Sequence, residues 1–235
     1  MKNPILFFLI LLFFSSCALF RKTAKQELSD GLYTKKSPSN KSRVYVNVSE
    51  EAIYLYPTIK QNNVCVIDTL SPSEVCLPKL QTREKIDFKL SQTSFDIDFF
   101  TIPFKLRFAE KEVPPQLNAN INGAVYIGCR RDIYKIKYHT NPLKMNIRKT
   151  NHFGYSLGFF TGFGNTYMSP TNTNTILQQE YDGIVWGKGI AGIIGINNFT
   201  IGLTLGFDNL LDKNKSIWIY ESRPWLGLAF GLNLN

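Results

Sequence analysis

Bulky apolar residues alternate with glycine and small polar residues along most of the C-terminal half of the chain. The last such segment places bulky side chains at every second position: Leu226, Leu228, Phe230, Leu232 and Leu234. The positions between them hold Gly227, Ala229, Gly231, Asn233 and Asn235. The same pattern recurs in residues 96–108, 117–128, 153–164 and 199–208. Because successive side chains of a strand point to opposite faces, this period of two predicts β-strands rather than helices.

In the last three predicted strands the second face consists mainly of glycine, threonine, serine and alanine and carries almost no charge. A soluble β-sandwich usually exposes lysine, glutamate and arginine on its second face. Glycine weakens a strand, but on the inner face of a narrow barrel it leaves room for larger neighbours and permits strong curvature. We therefore predict an all-β fold, an antiparallel up-and-down β-barrel of about eight strands over residues 95–235, with bulky residues facing lipid and small residues facing the axis.

Turn signals divide the barrel region into seven strands. Asn197-Asn198 predicts a two-residue hairpin, and Arg130-Arg131-Asp132 predicts another turn. The eighth strand has two candidates, residues 86–90 and residues 217–220, and the sequence leaves both open. The seven predicted strands are 96–108, 117–128, 132–139, 152–163, 183–196, 199–208 and 224–234.

The first 16 residues have the layout of an export signal. Lys2 is followed by ten apolar residues at positions 5–14 and then by Ser15 and Ser16. This run is too short to cross a bilayer as a helix, which takes about 20 residues. Cys17 directly after it resembles the acylated cysteine of bacterial lipoproteins. We expect removal of residues 1–16 and palmitate-type acylation of Cys17; the alternative is an ordinary signal peptide that contains a cysteine.

Two regions are predicted between Cys17 and the barrel. Residues 17–42 are expected to form a basic, solvated tether, because lysine and arginine outnumber acids there and residues 37–40 have a flexible composition. Residues 43–94 are expected to be a β-rich region, since residues 44–48 and 53–56 have the composition of a small hairpin. That region is either a periplasmic subdomain or plug, or part of the barrel itself.

The charge of the chain indicates which kinds of partner it can bind. The chain has 27 Lys and Arg against 18 Asp and Glu, a formal net charge of +9, which attracts anionic surfaces. A charged content of 19% is nevertheless low for a soluble nucleic-acid binder. We expect membrane lipid as a partner, through acylated Cys17 and the barrel exterior, and no nucleic acid. The sequence does not specify a protein partner in the outer membrane or periplasm, and no cofactor is predicted.

Three cysteines remain after Cys17. Cys65 and Cys76 are close enough in sequence to close a short disulfide loop, which would leave Cys129 over. Two reduced thiols on separate strands fit the sequence equally well. No metal site is predicted, because the two histidines, His139 and His152, have no cysteine at a zinc-binding spacing.

Three stretches carry a family resemblance: residues 102–107 (IPFKLR), residues 154–164 with their alternating aromatics, and residues 224–235 (PWLGLAFGLNLN). They resemble small porin-like outer-membrane barrel proteins of Bacteroidota-type bacteria, over about residues 95–235. The resemblance implies a location in the bacterial outer membrane, with the N-terminus on the periplasmic side, and no shared chemistry. The chain departs from the pattern at Asn235, where many such barrels end in an aromatic residue.

The predicted function is that of an outer-membrane β-barrel lipoprotein of structural, small-pore or docking type, without catalysis. A second interpretation is a soluble periplasmic lipoprotein whose lipocalin-like barrel binds a hydrophobic ligand. A third is a lipid-modifying enzyme, whose candidate residues would be His139 or His152 with Ser156, Asp132 or Asp182. The chain has no Gly-x-Ser-x-Gly elbow, and a lone histidine beside a strand is usually solvated, so no catalytic residue is assigned.

Overall fold

The structure is a computed structural model that describes residues 28–37, 40–49, 52–61, 64–70, 72, 74–76, 88–110, 112–140, 142, 146–196 and 199–231. Strands dominate these residues, and two short 3-10 turns lie at Thr171–Thr173 and Lys213–Ser216. The strands are β1 (Gly31–Lys36), β2 (Lys41–Val48), β3 (Ile53–Gln61), β4 (Val64–Ile67), β5 (Glu74–Cys76), β6 (Phe88–Arg107), β7 (Gln116–Ala119), β8 (Asn122–Thr140), β9 (Asn146–Met168), β10 (Tyr181–Ile196), β11 (Phe199–Leu210) and β12 (Pro224–Gly231).

Six of these strands pair in a ring. β6, β8, β9, β10, β11 and β12 each pair antiparallel with the next, and β12 also pairs with the C-terminal part of β6. The short β7 pairs with the C-terminal end of β6, on the same side of β6 as β8. We call these six strands the ring. The predicted all-β class and antiparallel up-and-down order are confirmed, whereas the ring has six strands where about eight were expected.

The strands of the ring are steeply staggered. One circuit of directly paired residues starts on β6 at Phe104 and returns to β6 nine residues earlier, passing through Leu228, Leu203, Gly192, Leu157 and Cys129 to Phe95. This stagger around six strands corresponds to a strand tilt of about 45° and a backbone radius of about 7 Å. About eight strands leave an interior only wide enough for side chains, so six strands leave less.

The two ends of the ring have different connections. At one end, which we call the loop end, β6, β9 and β11 are followed by long connections over residues 108–115, 169–180 and 211–223. At the other end, which we call the sheet end, the strands are joined across residues 141–145 and 197–198. Long connections at one end and short turns at the other are typical of outer-membrane barrels.

The N-terminal strands extend the sheet beyond the sheet end of the ring. β1 pairs with the start of β6 and with β2, and β3 pairs with β2, β4 and β5. The expected β character of residues 43–94 is present in β2 to β5. β1 lies within the stretch predicted as a tether, and β6 begins at Phe88 rather than near residue 95. The buried core of this N-terminal sheet is Tyr33, Val44, Val46, Ile53, Leu55, Phe88, Leu90, Tyr134 and Ile136.

Tyr33 explains why β1 joins the sheet instead of forming a tether. Its hydroxyl donates to the carbonyl oxygen of Ser29 (2.9 Å), and its ring meets Tyr134 edge to face with 6.0 Å between centroids. Burial raises the pKa of Tyr33, so the phenol keeps its proton at neutral pH and remains a hydrogen-bond donor. These contacts add to the backbone pairing of β1 with β6 at Thr34–Ser91.

The turn predicted at residues 130–132 is wrong. β8 runs without interruption through these residues and pairs with both β6 and β9 there. Nε of Arg130 donates to the Asp132 carboxylate (2.9 and 3.1 Å), so the charges that suggested a surface turn compensate one another within the strand. The predicted strand 132–139 and residues 122–128 of the predicted strand before it are therefore one strand, β8.

The alternation predicted through residues 100–108 changes phase at Pro103. Ile102 and Pro103 together lie opposite Ala229, because Phe104 pairs with Leu228 while Thr101 pairs with Phe230. Proline has no N–H for the ladder, and an extra residue in one strand is accommodated as a β-bulge. Phe104 consequently faces outward, and the next residue along β6 turns to the interior.

Among the described residues, neither candidate for an eighth strand forms a separate strand. Phe88–Leu90 is the beginning of β6, and residues 217–220 follow the second 3-10 turn as part of the connection to β12. The predicted hairpin at Asn197-Asn198 lies outside the described residues, although β10 and β11 pair as far as Ile196 and Phe199 on either side of it.

Candidate membrane interface

The outer face of the ring is covered by bulky apolar side chains, as the alternation predicted. Phe159, Leu157 and Leu203 have 72%, 68% and 68% of their surface exposed. All six strands contribute to this surface, which we call the outer band: Phe95, Ile97, Phe99, Phe104, Leu106, Val125, Ile127, Phe153, Tyr155, Leu157, Phe159, Phe163, Ile184, Trp186, Ile190, Ile194, Ile196, Ile201, Leu203, Leu205, Phe207, Leu226, Leu228 and Phe230.

The height of the outer band is close to that of a bilayer interior. On β9 the exposed apolar residues extend from Phe153 to Phe163, a distance of ten residues. At about 3.3 Å per residue and a tilt of about 45°, they cover about 23 Å along the ring axis. Outer-membrane barrels carry an apolar band about 25 Å tall. Monomeric soluble proteins, in contrast, rarely expose an apolar patch larger than roughly 300–600 Å².

Lys188 is a charged side chain within the outer band. It is exposed on β10, and its Nζ lies 4.3 Å from the centroid of the Trp186 ring, which is two residues nearer the loop end. The Trp186 Nε1 donates in turn to Oγ1 of Thr161 (2.8 Å). A lysine with a long apolar stem can lie along such a surface while its ammonium group reaches toward the polar boundary.

The interior of the ring is filled by side chains. Phe160 contacts both Phe100 and Trp225, with ring centroids 5.7 and 5.9 Å apart, and Tyr126 packs on Phe100 at 5.8 Å. The inward glycines make room for this packing, because a Cβ at Gly206 would overlap the indole of Trp225. The described interior contains a void of about 10 Å³ beside Trp225, enough for about one water molecule. Around Phe160 and Trp225 the described interior is thus occupied by side chains.

A buried ionic cluster lies inside the ring toward the loop end. Asp208 is fully buried and accepts hydrogen bonds from Nζ of Lys105 (3.1 Å to both oxygens) and from Nη2 of Arg107 (2.6 Å). The two cations are 4% and 2% exposed, so three charges are removed from solvent with a formal sum of +1. We call these residues the Asp208 cluster. The phase change at Pro103 is what directs Lys105 and Arg107 inward.

Aromatic residues surround the Asp208 cluster. The Lys105 Nζ lies 4.5 Å from the Trp225 ring, and the Arg107 guanidinium lies 4.8 Å from Trp218 and 5.3 Å from Tyr220. Trp218 and Tyr220 belong to the connection between β11 and β12 and are both buried. This connection therefore folds over the loop end, where cation–π contacts hold it against the cluster.

A second polar cluster lies toward the sheet end. Asp132 accepts from Nε of Arg130, and its Oδ1 lies 2.7 Å from Nε2 of His152. The His152 ring stacks on Tyr134 with 4.8 Å between centroids. The neighbouring pair is Tyr126 and Ser156, whose hydroxyl oxygens are 2.6 Å apart. His152, which was expected at a strand or loop edge, is thus buried within β9, with its Nε2 at Asp132 and its ring stacked on Tyr134.

Only two of the residues considered for catalysis are brought together, because His152 contacts Asp132 but does not reach Ser156. Ser156 and His152 are four residues apart on β9, about 13 Å along the strand, whereas a nucleophile and its base need hydrogen-bond contact. Asp182 is exposed at the loop end, away from His152. The side chain of His139 lies outside the described residues. The sequence alone could not distinguish these pairings, because both Ser156 and Asp132 share the inward face with His152.

The strand register bears directly on the suggested disulfide. Cys65 lies opposite Lys60 of β3, and Cys76 lies opposite Ile53 of the same strand. These β3 positions are seven residues apart, about 23 Å along an extended strand. The Cα atoms of a disulfide lie within about 7 Å of each other. On an extended β3 this register favours the alternative of two reduced thiols on separate strands, and the state of Cys65 and Cys76 stays a prediction.

The remaining cysteines differ in what the structure describes. Cys17 lies outside the described residues, so its acylation stays a prediction. Cys129 is free and exposed on β8, with Phe95 and Leu157 as its direct neighbours in the sheet. It therefore lies on the same outward face as the outer band.

No protein-family model, curated protein or solved structure matches the chain. Within the described ranges, the structure contains no helix of sufficient length and hydropathy to cross a bilayer. The same residues contain no group of three or more histidine, cysteine, aspartate or glutamate side chains arranged to hold a metal ion.

Proposed function

We propose that this protein is an outer-membrane β-barrel lipoprotein whose ring crosses the bilayer and whose role is structural or that of a docking surface. The observation that carries the proposal is the outer band, in which all six strands of the ring present bulky apolar side chains to the exterior. Solvent contact with this surface is unfavourable by about 25 cal/mol per Å², so a lipid surrounding stabilises it. The height of about 23 Å supports the same environment.

The orientation follows from the two ends of the ring. In outer-membrane barrels the short turns face the periplasm and the long loops face outward. The sheet end has the short connections and carries β1 to β5. We therefore place the N-terminal sheet in the periplasm, on the side where an acylated Cys17 would enter the inner leaflet.

A packed interior favours a role without conduction or catalysis. Aromatic side chains and the Asp208 cluster occupy the described interior of the six-strand ring. His152 and Ser156 are 4% and 5% exposed, which limits access of a substrate to both. Among the three roles expected from the sequence, this packing favours the structural and docking roles over the small-pore role.

The proposal is tested by separating the ring from the acyl anchor. Replacing residues 1–17 with a cleavable export signal that lacks a cysteine removes the acylation site. We expect the protein to remain in the membrane pellet after alkaline carbonate washing, because the outer band alone is sufficient for insertion. We also expect unheated and boiled samples to migrate differently on a gel, since a folded ring resists detergent until heated.

The matched control changes the outer band itself. Leu203 and Leu228 are directly paired near its centre, and arginine at both positions places two charges at the depth where each costs about 2–4 kcal/mol. This double variant should lose carbonate resistance, whereas Thr93→Arg, at an exposed position beyond the band on β6, should keep it. Release of the anchor-free protein in folded form by carbonate would refute the proposal.

A further inference from the structure

The outward face of the sheet changes from apolar to basic where the ring meets the N-terminal sheet. Four lysines stand directly opposite one another across β2, β1, β6 and β8, in the order Lys41, Lys36, Lys89 and Lys135. Lys36, Lys41 and Lys89 are exposed. We call these four residues the lysine row.

The lysine row lies on the same face as the outer band. Lys89 lies between the buried residues Phe88 and Leu90, and Lys135 lies between buried Tyr134 and Ile136. Both lysines therefore point away from the core, as the outer band does. Like charges that are directly opposite in a sheet repel one another, so an anion bound on this face would stabilise the row.

Other cations adjoin the row on the same face. Arg43 and Arg131 are exposed, and Lys137 is paired directly with Lys149 on the neighbouring strand. The carboxylate of Asp30, at the opposite end of β1 from Lys36, is occupied by the Asn47 side chain (2.9 Å) and the Val48 N–H (2.7 Å). The patch is therefore strongly basic over the part of the face that the structure describes.

The position of the lysine row along the ring axis indicates which anionic partner it binds. Lys135 pairs with Asn151 of β9, which is two residues from Phe153 at the edge of the outer band. Two residues on a tilted strand correspond to about 5 Å along the ring axis, so the Lys135 end of the row lies where the polar headgroup layer begins when the outer band fills the hydrocarbon layer. Lys89 lies six residues before Phe95, the first residue of the outer band on β6, which corresponds to about 14 Å. Lys89 is therefore farther toward the periplasm, about one Debye length from the headgroup phosphates.

We propose that the lysine row binds the phosphate groups of anionic phospholipids in the periplasmic leaflet, and so fixes the depth and orientation of the ring. This inference rests on the proposed membrane insertion. Each lysine near an anionic bilayer surface contributes about a fivefold preference at low ionic strength, and the contribution is screened by salt. The lysine row thus recognises lipid headgroups, and the outer band on the same face inserts into the hydrocarbon layer.

The test measures lipid selectivity of the inserted protein. The mature protein is reconstituted into phosphatidylcholine vesicles that contain a trace of spin-labelled phosphatidylglycerol or spin-labelled phosphatidylcholine, and the motionally restricted fraction of each lipid is compared. We expect phosphatidylglycerol to be restricted several-fold more strongly at low salt, with the preference falling toward unity in concentrated salt. Lys36→Gln with Lys89→Gln should remove most of the preference.

The matched control removes two exposed lysines at the loop end, through Lys213→Gln with Lys215→Gln, and should retain the preference. Heat-dependent gel mobility verifies that both double variants are folded. Restriction of both lipids without preference, or a preference that survives Lys36→Gln with Lys89→Gln, would overturn the lysine-row proposal while leaving insertion intact. Absence of any restricted lipid would instead refute insertion. Binding of an acidic polypeptide or oligonucleotide that depends on Lys36 and Lys89, without lipid preference, would also overturn the lysine-row proposal.

Discussion

Asp208→Asn is expected to destabilise the folded ring by about 3–5 kcal/mol, the cost of breaking a buried ion pair. The substitution leaves Lys105 and Arg107, both nearly inaccessible, without a counter-charge. Asparagine has one acceptor oxygen in place of two and carries no charge to offset the two cations. The measurement is urea unfolding of the protein in detergent micelles, followed by tryptophan fluorescence, since Trp225 and Trp218 lie against the cluster.

Two further variants distinguish the loss of ion pairing at Asp208 from a non-specific loss of stability. Lys105→Met removes one cation and leaves Arg107 paired with Asp208, so its cost should be smaller than that of Asp208→Asn. Asp182→Asn changes an exposed acid at the loop end and should alter the free energy of unfolding by less than about 0.5 kcal/mol. An Asp208→Asn cost below that of Lys105→Met would contradict the charge balance assigned to the cluster.

Gly162→Ala is expected to destabilise the ring by about 3 kcal/mol, at the upper end of the range for overpacking. A Cβ at Gly162 would overlap the carbonyl oxygen of Gly123 and come within 2.6 Å of the Ala124 Cα on the neighbouring strand. Both contacts are to backbone, which cannot rotate away as a side chain can. The ring would have to open between β8 and β9. Urea unfolding in micelles measures this effect as well.

Gly123→Ala is the matched control for Gly162→Ala. Gly123 lies on β8 beside the partner of Gly162, but a Cβ there would meet nothing within 4 Å because the residue faces outward. Replacing glycine in a compatible conformation reduces the entropy of the unfolded chain, so Gly123→Ala should be neutral or stabilising by up to about 1 kcal/mol. Equal costs for the two variants would show that the interior of the ring is not tightly packed.

The alternation in the sequence predicted the faces of the strands because it reflects a local geometric rule. A period of two assigns each side chain to one face, whatever the partner strands are. The Leu226 and Leu203 segments were correctly placed outside for this reason. The same rule failed at Pro103, since the bulge depends on how β6 meets β12, and the two strands are more than one hundred residues apart.

The interior clusters depend on pairings that no local pattern contains. Lys105 and Arg107 meet Asp208 across the ring, and only the closure of β12 on β6 brings these segments together. Charge alone was misleading at residues 130–132, where three charged residues were taken for a solvated turn although Arg130 and Asp132 compensate each other inside a strand. The number of strands in the ring was likewise not predictable, because register between distant strands sets it.

The most direct test of the account measures the surroundings of the outer band. A nitroxide spin label is attached at Leu203→Cys, or at Thr93→Cys for comparison, in vesicle-reconstituted protein whose other thiols are replaced by serine. Collisions with oxygen, which concentrates in hydrocarbon, are compared with collisions with a water-soluble nickel complex. If the outer band lies in lipid, collisions with oxygen dominate at Leu203 and collisions with the nickel complex dominate at Thr93. Nickel accessibility at Leu203 equal to that at Thr93 would contradict the claim that the outer band contacts lipid.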